Sequence, residues 1–418
     1  MGMRRQDSIA VIGAGIVGSA VALGLAREGR RVLLLDREAP GVAGASFGNV
    51  GHIAAELVQP LPSPALLLNF WRLLTRFGGP LDLPGRQVLR MLPWIARFAR
   101  AAFQREAHTR ALAPLVLPAA ATWERWLNEI GRPELLRRHG HYEIGFGVKS
   151  AGLMREQARA MARLGIKTAE VAQQVLEPVR RAARAQSVAG LWFEDSAHVV
   201  DPLGAVQAFA CSAAERGAEL RRLDVRSLQA RDAGIEILSE QPAIQADAVV
   251  VWAGMGSAAL LSNFGIHAPL QSVRGYHIEL PGEAALIDAP VVYTDEHLLV
   301  TPMAGRLRAS TYMEFADEHA PPDPGKPAAL RRKVRAMGYQ GEPHESSWVG
   351  ARPILPDYLP GIGRAPGSAK VFYAVGHQHI GLTLAPVTGD LIADLVAERA
   401  MRLPIDAFDL RRFGGARK

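Results

Sequence analysis

The sequence predicts a mixed α/β protein in which a Rossmann-like, dinucleotide-binding domain is interleaved with a substrate domain made of an antiparallel sheet and helices. A strand, a glycine turn, a helix and a second strand open the chain within residues 8–36. Buried, parallel-type strands recur at 248–253 and 371–375, and the most β-rich part of the chain, 270–315, lies between them. We therefore predict a cofactor domain of residues 1–60, 200–258 and 345–418, and a substrate domain of residues 61–199 and 259–344.

The opening βαβ unit is predicted from local signals alone. Ser8 to Ile12 is a short apolar run typical of a strand, and Ser19 to Glu28 has apolar residues at helical spacing. Gly29 is typical of the residue that follows a helix, since glycine adopts the left-handed conformation without strain. Arg31 to Leu35 is a second apolar run, and it ends at Asp36. This order of elements predicts a single βαβ unit.

The remaining elements follow from composition and periodicity. Residues 39–64 are rich in Gly, Pro, Ser and Ala and are predicted to form a loop, whereas 65–137 is predicted to be helical, with prolines between its segments. We further expect short strands at 140–148 and 188–199, helices at 150–164 and 202–216, and a C-terminal amphipathic helix that starts at Pro386 and runs to Ala400.

Composition excludes several classes of protein. The chain of 418 residues is 49% hydrophobic and 21% charged, which is typical of a globular protein with two or three domain-sized units. One cysteine, Cys211, excludes an internal disulfide framework, a Cys-rich zinc module and an iron–sulfur cluster, and it fits a reducing, cytoplasmic location. The net charge is +7, yet no block of like charges indicates nucleic-acid binding, and no 18-residue uncharged apolar run predicts a membrane-spanning helix.

The glycine turn has the spacing of a dinucleotide-binding fingerprint. Gly13, Gly15 and Gly18 fit G-x-G-x-x-G, and Asp36 stands at the end of the next strand. The first glycine permits the tight turn, the second lets a pyrophosphate approach the backbone, and the third lets helix and strand pack closely. The helix N-terminus then offers free N–H groups to the phosphates, and the acid can hold a ribose. The alternative is a glycine-rich turn in an ordinary α/β core, and the unit alone does not decide between NAD and FAD.

The next segment points to FAD. Residues 44–51 form a small, polar, glycine-rich stretch that can run close under a bulky flat cofactor. Together with the 13–18 glycines and the segments 348–363 and 376–389, it resembles the D-amino-acid oxidase superfamily of FAD enzymes. The resemblance covers most of the chain and is strongest at 8–60 and 346–400. The motifs at 44–52 and 376–389 look most like the branch of bacterial D-amino-acid and D-hydroxyproline dehydrogenases.

That resemblance implies a set of cofactor contacts. Ser46, Asn49 and Gly51 would lie beside the flavin, Val225 would pair its backbone with adenine, and Gly254 would close over the cofactor. The flavin is expected to be non-covalent, because the C-terminal cysteine of sarcosine-oxidase relatives is absent. The complete expected FAD site is Gly13, Gly15, Ile16, Val17, Gly18, Asp36, Arg37, Ala45, Ser46, Asn49, Gly51, Val225, Gly254, Gly376, His377, Gly381, Leu382 and Thr383.

Three residues are expected at the reactive centre. In the resembling family, the arginine corresponding to Arg352, in the shaped loop predicted around Pro353, forks onto the substrate carboxylate, and a guanidinium suits that role chemically. Tyr276 could cap the carboxylate, or it could be an aromatic in a sheet core. His379 stands where glycine-oxidase-like relatives carry an arginine, which argues against glycine or sarcosine as substrate. His377 and His379 lack a third ligand nearby in the sequence, so no metal is expected.

The predicted reaction is the oxidation of a D-amino or cyclic D-imino acid, with hydride transfer to flavin N5 and electrons passed to a quinone-like or dye-like acceptor. Alternatives are an oxygen-using oxidase of the same fold, a flavoprotein subunit of a hetero-oligomer, and a nicotinamide-only enzyme. Residues 66–103 mix apolar, aromatic and arginine residues, as in a helix that lies on the inner face of the cytoplasmic membrane. The same pattern also suits helices packed over the substrate domain or a subunit interface of an oligomer.

Overall fold

The computed structural model describes residues 7–282, 288–342 and 347–414. The described strands are β1 (Ser8–Ile12), β2 (Arg31–Asp36), β3 (His52–Ile53), β4 (Leu81–Asp82), β5 (Leu136–Arg137), β6 (His141–Phe146), β7 (Thr168–Glu170), β8 (Val188–Phe193), β9 (Ala197–Val199), β10 (Glu219–Arg222), β11 (Ser227–Ala230), β12 (Ile235–Leu238), β13 (Ile244–Ala246), β14 (Ala248–Val251), β15 (Gln271–Pro281), β16 (Val291–Tyr293), β17 (Leu298–Met303), β18 (Arg306–Phe315), β19 (Trp348–Ile354), β20 (Gly361–Arg364) and β21 (Val371–Val375). The described α-helices are α1 (Ile16–Arg27), α2 (Pro64–Asn69), α3 (Gly85–Ala102), α4 (Arg105–Val116), α5 (Ala119–Glu129), α6 (Ser150–Ala162), α7 (Gln173–Ala182), α8 (Pro202–Glu215), α9 (Ser257–Ser262), α10 (Gly325–Ala336) and α11 (Gly381–Val396).

The first large sheet carries the predicted βαβ unit. Its strand order is β10-β2-β1-β14-β21-β20, and all neighbours are parallel except β20, which pairs antiparallel with β21. Helix α1 is buried along nearly its whole length and packs against α8 and α11. Continuous burial on all sides explains why β1, β14 and β21 are apolar runs without alternation.

The second large sheet is the β-rich part of the chain. Its nine strands run β19-β15-β18-β17-β16-β6-β8-β7, with β4 on the side of β18. Most pairs are antiparallel, as predicted, but β16 pairs parallel with β6 and β18 pairs parallel with β4. Two three-stranded sheets, β11-β12-β13 and β3-β9-β5, complete the strands. The architecture confirms the predicted fold class.

Two segments lie across the predicted domain division. Strand β19 belongs to the second sheet, although 345–418 was expected to form part of the cofactor domain. Helices α4 and α5, expected in the substrate domain, pack on α11 and share a core with α1 and α8 through Trp123, Trp126 and Phe209. The exact division into two domains therefore stays a prediction.

The C-terminal helix begins five residues earlier than the sequence predicts, at Gly381 rather than at Pro386. Positive φ angles at Gly376 (65°) and Gln378 (50°) turn the chain so that the helix can start there. Pro386 then lies inside the helix, where it has no N–H to donate to the carbonyl of Leu382. The indole N–H of Trp123 donates to that carbonyl instead, at 3.0 Å, which explains why a proline is tolerated in this helix.

Candidate functional site

The glycine turn joins β1 to α1 at the carboxyl end of β1, an interior strand of the first sheet. A Cβ on Gly13, which has φ of +108°, would lie 2.0 Å from the carbonyl oxygen of Trp252, so only glycine fits this close approach. The carboxylate of Asp36 accepts the N–H of Ala14 at 2.6 Å and that of Glu38 at 3.1 Å. The acid predicted to hold a ribose is thus fixed against the turn, as the fingerprint requires.

The loop of residues 44–51 is held by helix α1 and by the second sheet. The hydroxyl of Ser46 accepts the N–H of Ile16, the first residue of α1, at 3.0 Å. His277 Nδ1 contacts the carbonyl oxygen of Gly48 at 2.9 Å, and the buried guanidinium of Arg308 donates to the carbonyl of Asn49 while pairing with Glu279. The loop therefore joins the start of α1 to strands β15 and β18. The part of Arg308 in this arrangement was not predicted from the sequence.

Other predicted cofactor residues lie on several separate segments of the chain. Gly254 has φ of +58° and open space where a Cβ would stand, and Val225 lies between β10 and β11. Leu382 and Thr383 lie in the first turn of α11, and the Thr383 hydroxyl donates to the carbonyl of His52 at 3.4 Å. Arg37 is exposed, and its carbonyl accepts from Arg222 at 2.7 Å.

The ring of His377, which lies two residues after the strand β21, is almost completely buried. Its Nε2 atom lies 3.0 Å from the Thr388 hydroxyl, and the ring meets Trp252 edge to face at 4.7 Å. Burial lowers the pKa of His377 to about 3, so the ring is neutral at physiological pH. These contacts give His377 a packing role, and any contact with a cofactor would be made by the backbone.

The geometry of the turn fits FAD. A Cβ on Gly15 would meet only two side-chain atoms, Ser46 Oγ at 3.1 Å and Trp252 Nε1 at 3.4 Å, so no backbone closes the space in front of the helix N-terminus. That space, with Asp36 at its rim, suits a pyrophosphate and its ribose. Gly44 to Ser46 and Gly254 to Gly256 both contact β19, which brings the cofactor loops to the strand that carries Arg352.

Arg352 lies in a regular strand and not in the loop that the sequence suggested. Strand β19 pairs with β15, and the Arg352 guanidinium covers Gly275, where a Cβ would approach its Nη2 atom to 2.0 Å. Among the described residues, Arg352 makes no ion pair or hydrogen bond. Burial lowers its pKa, while Tyr358 acts in the opposite direction. An arginine without a counter-ion at such depth is suited to bind an anion.

Tyr358 and His379 stand beside Arg352, and we call the space that these three residues border the cleft. His379 has an exposed side chain although it lies deep in the protein, as expected for a residue that lines an internal space. The depth of the cleft and the charge of Arg352 lower the pKa of His379 to about 4. Its ring lies 5.9 Å from that of Tyr358, which packs in turn against Phe98 at 5.9 Å.

Tyr358 was missed in the sequence analysis. It has φ of +61°, a conformation uncommon for an aromatic residue, and burial raises the pKa of its phenol. Residues in such strained conformations cluster at functional sites. The sequence signal was the position directly after Asp357, whose carboxylate is held by Arg412 at 2.6 Å and fixes the turn.

The predicted role of Tyr276 as a cap on the carboxylate is wrong. Side chains alternate along β15, so Gly275 and His277 share the face of Arg352, whereas Tyr276 points to the opposite face. Its phenol donates to Glu314 at 2.9 Å and accepts the N–H of Asp323 at 3.0 Å. Tyr276 therefore belongs to the core of the second sheet, which was the alternative interpretation.

The fold and the site together define an oxidoreductase that uses FAD. Residues 8–395 match the family model DAO, described as FAD dependent oxidoreductase, and the chain belongs to this family. The chain is 29% identical to a D-amino-acid oxidase of Bradyrhizobium diazoefficiens, over 97% of this chain and 98% of that protein. It is 30% identical to D-amino acid dehydrogenase 2 of Ralstonia nicotianae, over 97% and 100% of the two chains.

Solved structures share the fold. The glycine oxidase of Geobacillus kaustophilus superposes with a TM-score of 0.76 at 22% identity, covering 98% of this chain and 99% of that chain. The L-proline dehydrogenase of P. horikoshii superposes with a TM-score of 0.72 at 17% identity, covering 98% of each chain. These structures confirm the predicted fold, and the family confirms the predicted cofactor.

Proposed function

We propose that this FAD enzyme oxidises neutral D-amino acids or cyclic D-imino acids and passes the electrons to a quinone-like acceptor. The observation that carries the proposal is Arg352, a deep arginine without an ion pair or hydrogen bond among the described residues, next to the loops that fit FAD. A substrate carboxylate would supply the missing counter-ion through two parallel hydrogen bonds. The relatives named as a D-amino-acid oxidase and a D-amino acid dehydrogenase support an amino acid as substrate.

The residues of the cleft would orient the substrate and control its protonation. Arg352 fixes the carboxylate, so that one enantiomer presents its Cα–H toward the cofactor and the other turns it away. Bound FAD supplies the acceptor for the two electrons and the hydrogen of that bond. His379 is neutral at physiological pH because its pKa is lowered to about 4, so it adds no charge that would repel a substrate ammonium group. Desolvation in the cleft favours the neutral amine that oxidation requires.

The experiment that tests this function is a panel of amino acids assayed with a quinone-like dye. We expect turnover of D-proline, hydroxy-D-proline or another neutral D-amino acid, poor activity with glycine and sarcosine, and no activity with L-enantiomers. His379→Ala should change the ranking of substrates more than the FAD content, because the ring borders the cleft and not the phosphate-binding turn. A preference for sarcosine, or turnover of L-enantiomers, would contradict the proposal.

The second candidate function is an oxidase that reduces oxygen, and the Bradyrhizobium relative named D-amino-acid oxidase favours it. Peroxide measured in air decides between the two. Stoichiometric peroxide, formed at the rate of dye reduction, identifies an oxidase; a peroxide rate far below the dye rate identifies a dehydrogenase. The amino-acid panel is read independently of this result, because both functions use the same carboxylate contact.

A membrane surface would bring a quinone within reach, and α2, the short turn Phe70–Leu73 that follows it, and α3 offer a patch suited to it. Among the described residues, no helix combines the length and the apolar character needed to cross a bilayer. Helix α3 instead has two different faces: Met91, Trp94 and Phe98 pack inward near Tyr358, whereas Leu89 and Leu92 are 74% and 51% exposed. The exposed apolar–basic patch consists of Leu68, Phe70, Trp71, Arg72, Leu89, Arg90 and Leu92.

We propose that this apolar–basic patch rests on an anionic bilayer, where exposed apolar side chains enter the interface and arginines meet the headgroups. Leu89→Glu with Leu92→Glu should lower binding to vesicles of phosphatidylglycerol and phosphatidylcholine by roughly tenfold or more in a sedimentation assay. The matched control is Leu153→Glu, which changes a 62%-exposed leucine of α6. Equal binding of both proteins, or a stable dimer that the Leu89 and Leu92 changes dissociate, would contradict the proposal.

A further inference from the structure

Three side chains with metal-ligating atoms meet at one place outside the cofactor turn. His52 lies in β3, Glu56 in the short turn Ala55–Val58, and His141 at the start of β6. Ser196 ties these segments together, because its hydroxyl accepts the N–H of Ala55 at 3.3 Å and its carbonyl accepts the N–H of Gly140 at 3.2 Å. We call these three residues the His–Glu–His cluster.

The distances within the cluster suit a small cation. One ligand atom from each residue lies within 4.8 Å of the other two, and His141 Nε2 is 3.5 Å from Glu56 Oε1. Ligands about 2.0–2.2 Å from a tetrahedral ion are separated from each other by roughly 3.3–3.6 Å. The His141–Glu56 separation already matches one edge of such a tetrahedron. The His52 ring meets the His141 ring edge to face, with 4.5 Å between the ring centroids, so the third ligand lies at the same place.

Four nitrogen and oxygen atoms of the cluster have no hydrogen-bond partner among the described residues. His52 Nε2, Glu56 Oε2 and both ring nitrogens of His141 are buried and unpaired, and the His141 side chain is completely buried. Its contact with Glu56, at 3.5 Å, is too long for a good hydrogen bond. An unpaired buried polar atom costs about 1–3 kcal/mol, so several in one place call for a bound species.

The chemistry of the three side chains suits a divalent metal. The rings of His52 and His141 and the carboxylate of Glu56 offer nitrogen and oxygen donors at one place. Imidazole nitrogens and carboxylate oxygens are ligands that zinc takes in proteins.

We propose that His52, Glu56 and His141 bind a divalent transition-metal ion of the zinc class. Two imidazoles and one carboxylate are a ligand set typical of zinc, whereas calcium and magnesium prefer a larger number of oxygen ligands. The three ligands leave further coordination positions, and the nearby buried carboxylate of Glu143 is placed to influence them. The ion would join the end of the glycine-rich loop, at His52, to the start of β6, at His141.

The spacing of these three residues does not predict a metal site, and the sequence analysis expects no metal. Glu56 follows His52 by four residues, but His141 is 85 positions after Glu56, and none of the three lies on a helix that would fix their spacing. Only the pairing of β3 with β9 and the contacts of Ser196 bring them together. The pair considered from the sequence, His377 and His379, is not part of any three-ligand group among the described residues.

The test is zinc binding by the full-length FAD-bound protein without an affinity tag. The protein is stripped with a chelator, transferred to metal-free buffer, titrated with zinc chloride by calorimetry, and analysed for bound metal by mass spectrometry. We expect one zinc per chain, and X-ray absorption at the zinc edge should show two imidazole ligands. Glu56→Gln, which keeps the shape of the side chain, and His52→Ala should each weaken zinc binding by roughly tenfold or more.

The matched control is His319→Ala, which removes an exposed imidazole and should leave the zinc stoichiometry unchanged. Glu56→Gln is the principal variant because Glu56 is partly exposed, whereas the buried His141 cannot be changed without risk to folding. FAD content and circular dichroism establish that each variant is folded. The proposal is overturned if the stripped protein binds less than one zinc per chain, or if Glu56→Gln and His52→Ala bind zinc as tightly as the original protein.

Discussion

Arg352→Lys is expected to lower kcat/KM by about 2–4 kcal/mol of transition-state stabilisation, which is roughly 30- to 1,000-fold. Lysine keeps the positive charge but lacks the planar guanidinium that can hydrogen-bond to both carboxylate oxygens at once. The loss should be large because Arg352 has no ion pair or hydrogen bond among the described residues, so no neighbouring acid competes with the substrate for the guanidinium. Steady-state kinetics with the best D-amino acid and a dye acceptor measure the effect.

The control for this substitution is Arg110→Lys, at an exposed position whose ion pair with Glu106 lies on the surface of α4. It should leave kcat/KM within about twofold, because exposed ion pairs contribute little. FAD content separates a loss of substrate binding from a loss of the cofactor. If Arg352→Ala retains near-normal kcat/KM and normal FAD content, Arg352 does not hold the substrate carboxylate.

The parts of the fold predicted correctly are those whose determinants are local. The strand, glycine turn, helix and second strand at 8–36 are each set by residues within a few positions of one another, and β1, α1 and β2 lie within three residues of the predicted bounds. The loop at 44–51 was also predicted, since small residues permit a close backbone approach. Its anchors were not, because Arg308 and His277 lie on distant strands that only the folded sheet brings near.

The errors share one physical cause, which is that side-chain direction and helix limits depend on partners remote in sequence. Tyr276 points away from Arg352 because β15 pairs with β19 in one particular register. Proline is typical of a helix start, which is why the sequence predicts that α11 begins at Pro386. The helix can instead begin earlier because Trp123, more than 250 positions before the proline, donates to the Leu382 carbonyl that Pro386 leaves without a donor. Tyr358 was overlooked because its position after Asp357 does not reveal its left-handed conformation or its contact with Phe98, which only the folded chain creates.

Gly15→Val is expected to weaken FAD binding by roughly 100-fold or more, a change of about 2.7 kcal/mol, with little effect on the stability of the protein without FAD. The purified original protein should be yellow and should release its FAD on acid denaturation, because no covalent link is expected. At Gly15 the backbone is extended, with φ of −72° and ψ of −176°, and a Cβ meets only side-chain atoms. The branched valine therefore suits the backbone, but its methyl groups would fill the space in front of the α1 N-terminus that suits the pyrophosphate.

Gly152→Val is the matched control, because Gly152 lies in α6 with open space around the position of a Cβ. Valine has a better helix propensity than glycine, so this change should leave both folding and FAD content intact. Fluorescence titration of the FAD-free proteins gives the two affinities, and thermal unfolding without FAD compares their stabilities. An unchanged FAD affinity in Gly15→Val would mean that the pyrophosphate lies elsewhere. A large loss of stability without FAD would instead mean that Gly15 is required for folding, as Gly13 is expected to be, because a Cβ on Gly13 would collide with the Trp252 backbone.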